Sequence, residues 1–214
     1  STLATSSAAS DVYKRQIETR KTCCSHSWRI MQVINNFLDD YYIDYLSDAV
    51  TNPMFEWRYH NNISKFIPPN HASLRDQEFL SGLSHVLFDS ENNLGFTNNA
   101  WIPAVLKIEK ELGVPKGSLT RARLDMTLQA PKTTLHTPHT DQNYPHMSCI
   151  LYLIDSDGDT VIYNEGKGAE ELTILHTVEP RKNRLVIFDG DQMHTGHSPL
   201  HHANRILLNL NFMK

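Results

Sequence analysis

The chain is short of cysteine, of positive charge and of long apolar runs, and each shortage excludes something. Only three of its 214 residues are cysteine. Cys23 and Cys24 are adjacent, and Cys149 sits in an apolar stretch. No disulfide framework is implied, so a reducing cytoplasm is the expected setting. Cys149 reads as a small buried hydrophobe. The net charge is -4, which provides no basic field for nucleic acid. No apolar run approaches the roughly 20 residues that span a bilayer. Neither an internal repeat nor a domain linker is visible. What remains, 40% hydrophobic and 21% charged, suits one domain with a sizeable core, with or without an extension.

The extension is expected at the start. STLATSSAAS is small, polar and without period, as in a disordered tail. DVYKRQ is similar to translated sequencing-adaptor DNA, and the stretch lacks the apolar centre of a secretory signal. Patterning begins at Met31, so residues 1–30 are expected to be extraneous or a disordered N-terminal extension, and 31–214 to form the domain. From Ile34 to Val50 apolar residues recur at helical spacing, with Asp39 and Asp40 suited to a helix N-terminus and Pro53 beyond its end. Phe55, Trp57 and Tyr59 alternate as in a short strand, with packing as their expected role. Paired prolines make 67–73 a loop. Residues 78–88 read as an outer strand containing His85. Trp101, Val105, Ile108 and Leu112 mark a second amphipathic helix, with Pro103 in its first turn and Gly113 and Pro115 ending it. Residues 31–118 thus read as a region of helices and short strands ahead of the rest of the chain.

From 119 onward the chain reads as all β. LTRARLDMTLQ alternates, with Ala122, Leu124, Met126 and Leu128 opposite Arg121, Arg123, Asp125, Thr127 and Gln129. Strands come next at MSCILYL, TVIYN, ELTILHTV, RLVIF and RILLNLNF, separated by Asp/Gly turns. The unbroken apolar run RLVIF implies burial on both faces. The expected fold is mainly β with flanking helices, around a jelly-roll (double-stranded β-helix, cupin-like) core at 119–214. In the last strand Arg205, Asn209 and Asn211 lie opposite Ile206, Leu208, Leu210 and Phe212. Tyr152 likewise shares a side with Ser148 and Ile150. A barrel with a polar interior and a helix-covered outer face produces this pattern, as does any sheet wetted on one side.

Within that core lies a metal-ligating pattern. His139 and Asp141 are two apart, so in extended chain both point to one side. A histidine from a distant strand completes two imidazoles and one carboxylate. That set holds an ion on one face, leaves positions open and suits non-haem iron(II). With 12 histidines in the chain, each taken alone reads as structural. His136, His146, His176, His201 and His202 are not expected to be ligands. MHTGHSP offers both His194 and His197 for the distal place.

His139-x-Asp141, a distal histidine and Arg205 after it, with the strand CILYLID and the segment HTVEPRKNRLVIFDGDQMHTGHSP, resemble the iron(II)/2-oxoglutarate-dependent dioxygenases. The likeness is to the prolyl-4-hydroxylase-like branch, of the phage or marine bacterial type. It covers residues 119 to the end. Its spacing favours His194 over His197. The resemblance implies iron(II) on His139, Asp141 and His194. It also implies a 2-oxoglutarate tail carboxylate on Arg205, with a hydroxyl from Tyr152, and oxygen as the third reactant. L-ascorbate would keep the iron reduced. Gln129 and Arg123 are candidate pocket residues. The implied reaction hydroxylates a C–H bond and releases succinate and carbon dioxide. The substrate is a prolyl, other peptidyl or amino-acid group, or a small molecule, reached through mouth loops at 55–70 and 130–138. Two other classes use similar ligands. A cupin-like binding protein or isomerase usually presents His-x-His and a glutamate. A zinc hydrolase would need neither Arg205 nor Tyr152, and no general-base glutamate sits beside the motif.

Overall fold

The structure, a computed structural model, describes residues 31–61, 63 and 81–214. The readings of residues 1–30, of the 67–73 loop and of the beginning of the 78–88 strand lie outside them. Eleven strands form two antiparallel sheets among the described residues. The larger contains β1 (Gln32–Ile34), β2 (Arg58–His60), β3 (Gly82–Asp89), β4 (Leu119–Leu128), β6 (His146–Tyr152), β9 (Leu185–Asp189) and β11 (Asn204–Met213), in the order β1-β9-β6-β11-β4-β3-β2. The smaller contains β5 (Thr134–Leu135), β7 (Thr160–Gly166), β8 (Ile174–Val178) and β10 (Gln192–Ser198), in the order β5-β10-β7-β8. The sheets face each other as in a jelly roll but do not close into a barrel.

Two apolar clusters show how the alternation is used. On the outer face of the larger sheet, Leu124, Cys149, Leu151, Leu185, Leu208 and Leu210 pack against α1 (Asp40–Thr51) and α2 (Ile102–Leu112). Between the sheets, Ile150, Tyr152, Val186, Phe188 and Leu207 meet Ile162 and Val178 of the smaller sheet. β9 contributes alternate residues to both clusters and is buried throughout, as its unbroken apolar run requires. The polar parity of β11 is buried as well: Arg205, Asn209 and Asn211 are at most 6% exposed. This face is therefore the inside of the molecule and not a wetted surface. Among the described residues, no helix is long and apolar enough to cross a membrane.

The first helix is shorter than its apolar spacing suggests. It starts at Asp40, with the Asp39 side chain capping the Tyr41 N–H. Ile34 instead ends β1, which pairs with β9. Asn36 then takes a positive φ of 51°, which interrupts any helix there. Phe37 and Leu38 are buried because a distant asparagine holds their backbone. The Leu38 N–H donates to Asn183 Oδ1 at 2.7 Å, and Asn183 Nδ2 donates back to the Leu38 carbonyl at 2.9 Å. The second helix matches expectation, with Pro103 in its first turn and Gly113 in the left-handed region at its end. β3 is not an edge strand; it lies between β2 and β4.

Asn183 itself has φ 63°, so glycine keeps the turn while deleting both side-chain bonds. Asn183→Gly should lower unfolding free energy by roughly 2–4 kcal/mol, because two buried backbone groups lose their partners. Urea denaturation checks this; a midpoint equal to wild type would contradict it.

Candidate metal centre

Three groups converge at one end of the space between the sheets. His139 and Asp141 lie on the segment joining β5 to β6, and His194 lies on β10. One ligand atom from each falls within 4.8 Å of the others. The joining segment is fixed to β10 by a reciprocal backbone pair, His139 N–H to the His194 carbonyl and the reverse, both 2.9 Å. The two imidazole centroids are 4.7 Å apart, and the Phe188 ring lies edge-on to His194 at 4.9 Å.

Each imidazole turns Nδ1 to a backbone carbonyl two residues earlier. His139 reaches the Thr137 carbonyl at 3.1 Å, and His194 reaches the Gln192 carbonyl at 3.3 Å. Such partners fix Nδ1 as the protonated nitrogen and leave Nε2 as the lone-pair donor to an ion. His194 Nε2 stands 3.6 Å from Asp141 Oδ2. Burial lowers the pKa of His194 to about 4, so the ring is neutral at pH 7. Burial alone would raise the Asp141 carboxyl. His194, Arg121 and His139 beside it, with the Asn211 amide, hold it well below the ordinary range. Two imidazole nitrogens and one carboxylate are a chemically apt set for a divalent ion, and His139, the exposed member, marks the open side.

Asp141 is held by groups that sequence reasoning did not assign. Arg121 Nη2 donates to Oδ1 at 2.8 Å, Ser148 Oγ to Oδ2 at 3.1 Å and Asn211 Nδ2 to Oδ2 at 3.0 Å. Asn209 Nδ2 straddles both oxygens at 3.3 and 3.4 Å. All four come from the inward parity of β4, β6 and β11. Their positions were visible as polar residues in apolar strands; their common target was not.

A cavity of about 840 Å³ opens beside this set, lined by His139 and His194 and also by Arg205, Thr160, Gly196 and Asn209. Arg205 is buried, 6% exposed, and forms no ion pair with a carboxylate among the described residues. Its Nη2 donates to Thr160 Oγ1, and its Nε has no hydrogen-bond partner among the described residues. Tyr152 lies under the guanidinium, 5.6 Å from ring centre to Cζ, and its hydroxyl pairs with the same Thr160 oxygen. Gly196 leaves room for this side chain: a Cβ there would lie 3.2 Å from Arg205 Nη1. Gly196 is two residues from His194 on the same strand. The guanidinium therefore sits roughly 7 Å along β10 from the His194 position.

The other candidates fall elsewhere. His197 turns from the metal group: its Nδ1 lies 3.4 Å from the Asp159 carbonyl, in a separate small pocket with Asp157 and His201. Gln129 is exposed, and its amide donates to the Leu200 carbonyl at 2.7 Å, so it is not brought to the cavity wall. Arg123 does line the cavity and is paired with Asp125 at 2.7 Å. His136 lines it too, 2.8 Å from Ser198 Oγ. His146 is fully buried, with Nδ1 on the Tyr144 carbonyl. Of the expected mouth loops, His60 and Ile63 from one and His136 to Pro138 from the other reach the cavity; residues 64–70 lie outside the described residues.

Two facing antiparallel sheets with a two-histidine, one-carboxylate group between them and a buried arginine in the same cavity define the class: a jelly-roll-like protein whose ligand set could hold a divalent metal. Residues 127–213 match the model of the 2OG-Fe(II) oxygenase superfamily, and this segment contains the whole metal group and Arg205. No curated protein matches the sequence. The backbone is similar to that of a prolyl-4-hydroxylase from Pseudomonas putida, at 16% identity and TM-score 0.52, covering 87% of this chain and 94% of that one. It is also similar to the non-haem α-ketoglutarate-dependent epimerase SnoN from nogalamycin biosynthesis, at 12% identity and TM-score 0.58, covering 86% and 77%. A third likeness is to a prolyl hydroxylase from Trichoplax adhaerens in complex with a hypoxia inducible factor peptide fragment, at 12% identity and TM-score 0.55, covering 86% and 83%. These likenesses are of fold, and a fold shared by hydroxylases and an epimerase does not choose the reaction.

The buried histidines make the metal-free protein acid-sensitive. His194 and His136 are both lowered to about 4, by burial first. Unfolded, they return to the usual value near 6.5. Between those values the unfolded chain binds more protons, so stability falls as pH falls from about 6.5 towards 4, by about 1.4 kcal/mol per pH unit per group at most. In chelator, the thermal midpoint should drop clearly from pH 7 to pH 5; bound divalent metal should raise the midpoint at both pH values without removing the drop, because it keeps the folded imidazole unprotonated. Equal midpoints at the two pH values would contradict this.

Proposed function

We propose that the protein is an iron(II)- and 2-oxoglutarate-dependent dioxygenase that hydroxylates a C–H bond. One observation supports the reading above the rest. A buried guanidinium without a carboxylate partner among the described residues shares a cavity with the metal-ligating group, roughly 7 Å along β10 from it. A five-carbon dicarboxylate with a keto group next to one carboxylate matches that layout, one end for the metal and the other for Arg205. A zinc hydrolase or a cupin-like isomerase would have no use for this second charge.

His139, Asp141 and His194 would hold the ion. Iron(II), when bound, supplies the open positions at which 2-oxoglutarate and oxygen react, with succinate and carbon dioxide as products beside the hydroxylated substrate. The chain's own residues orient and exclude. Arg205 would take the remote carboxylate with two parallel hydrogen bonds, which a planar guanidinium suits. Thr160 and the Tyr152 ring fix the guanidinium in place. Ile150 and Leu207 make the nearby wall apolar and keep water from it. The substrate would enter from the mouth, between His60 and Ser84 on one wall and Lys167 and Asn143 on the other. A peptide-borne prolyl or other amino-acid group is the proposed target.

Arg205→Ala is the test. A charged hydrogen bond of this kind contributes roughly 1.5–3 kcal/mol. Succinate release should therefore show the Michaelis constant for 2-oxoglutarate raised about ten- to a hundredfold, at 1.4 kcal/mol per tenfold. Iron affinity should stay as in wild type, because Arg205 is not a ligand. Arg205→Lys should fall between, keeping the charge and losing the fork. Unaltered dependence on 2-oxoglutarate in Arg205→Ala would overturn the assignment.

A further inference from the structure

We infer that Arg121 is a positioning residue that reserves one oxygen of Asp141 and so keeps this carboxylate a one-oxygen ligand. The inference rests on the proposed metal site and concerns a residue outside the sequence pattern that defines it. The two oxygens of Asp141 are treated differently. Oδ2 faces His194 Nε2 at 3.6 Å and accepts from the neutral donors Ser148, Asn211 and, at 3.4 Å, Asn209. Oδ1 takes the shorter bond, 2.8 Å from Arg121 Nη2, and otherwise only the long contact to Asn209. Arg121 Nε is buried without a partner, and Asp141 is the only carboxylate paired with this guanidinium among the described residues. The Arg121 side chain is 17% exposed, against 2% for Asp141.

A cation this close to a ligand works against metal affinity, since it repels the incoming ion and draws charge from the carboxylate. An arrangement selected for tight metal binding alone would omit it. What it adds is selectivity between the two oxygens. An unencumbered carboxylate can close on an ion with both, as calcium sites show. That would consume one of the positions an oxygenase must keep open. Oδ1 is held by a charged donor and Oδ2 by neutral ones only, so Oδ2, on the side of His194, is the oxygen that yields more readily to the metal. β4 supplies the arginine at the position paired with Asn211 on β11, so the two groups on Asp141 are also neighbours in register.

The test uses Mn(II) as probe in the full-length protein, without turnover. Three ligands on an octahedral ion leave three positions for water. Water-proton relaxation enhancement reads how many waters the bound Mn(II) holds, and titration reads its dissociation constant. Arg121→Met should lower the enhancement by about one third, as a second carboxylate oxygen replaces one of three waters, and should tighten Mn(II) binding by about tenfold. Arg121→Lys, with the charge kept, should retain the wild-type enhancement. If Arg121→Met does not fold, Arg121→Gln carries the same expected direction for affinity. Unchanged enhancement in the neutral variants, or Mn(II) binding that loosens in them, would overturn the inference, because a merely structural arginine gives that result. Failure of the wild type to bind one Mn(II) would instead remove the metal site itself, and the proposed function with it.

Discussion

The ionised carboxylate of Asp141, buried between two sheets, is the constraint around which the molecule is arranged. Leaving an unpaired carboxylate in such a place costs several kcal/mol. The fold offsets that cost with Arg121 from β4, Ser148 from β6, and Asn209 and Asn211 from β11. β11 pairs with both other strands, so these donors reach one point only when three strands are in register. A slip of one residue would turn the donors to the apolar outer face and Leu208 and Leu210 inward. The helices contribute from the other side: by covering Leu151, Leu208 and Leu210 they make the register costly to change. Metal site and hydrophobic core therefore specify the same alignment.

The smaller sheet supplies what the larger cannot. β10 carries His194 and Gly196 on one side, and Gly196 is where the Arg205 guanidinium crosses from the opposite sheet. Thr160 on β7 ties that guanidinium to the Tyr152 hydroxyl, which links the two sheets a second time. The reciprocal backbone pair between His139 and His194 extends the β5–β10 pairing up to the metal group. The open mouth lies beyond these ties, so the ends where the proposed metal and co-substrate sit are the braced part of the cavity.

Much of this is legible in the residues. Strict alternation in 119–128 and 204–212 places Arg205 and Asn209 on one face and the leucines on the other, and RLVIF declares its double burial. His-x-Asp with a distal histidine and an arginine points to the metal group, while the choice of His194 over His197 comes from the family resemblance and not from the residues themselves. The less legible parts depend on long-range partners. Apolar spacing alone makes the first helix six residues too long, because Phe37 and Leu38 are buried through Asn183 and not through helical packing. β10 carries histidines, a glycine and a threonine, so its strand pairing does not show as apolar alternation. Arg121, Ser148 and Asn211 are visible as inward polar residues, but nothing local says that they share one carboxylate. Thr160 is similarly silent, because its role exists only where Tyr152 and Arg205 meet.

The central claim is that one cavity holds iron(II) on His139, Asp141 and His194 and 2-oxoglutarate between that ion and Arg205. The direct measurement is the visible spectrum of the protein under strict exclusion of oxygen, as iron(II) and 2-oxoglutarate are added separately and then together. A weak visible band should appear only when both are present, saturate at one equivalent of iron, persist in His197→Ala and vanish in His194→Ala. Absence of the band from the wild type, or its survival in His194→Ala, would contradict the account.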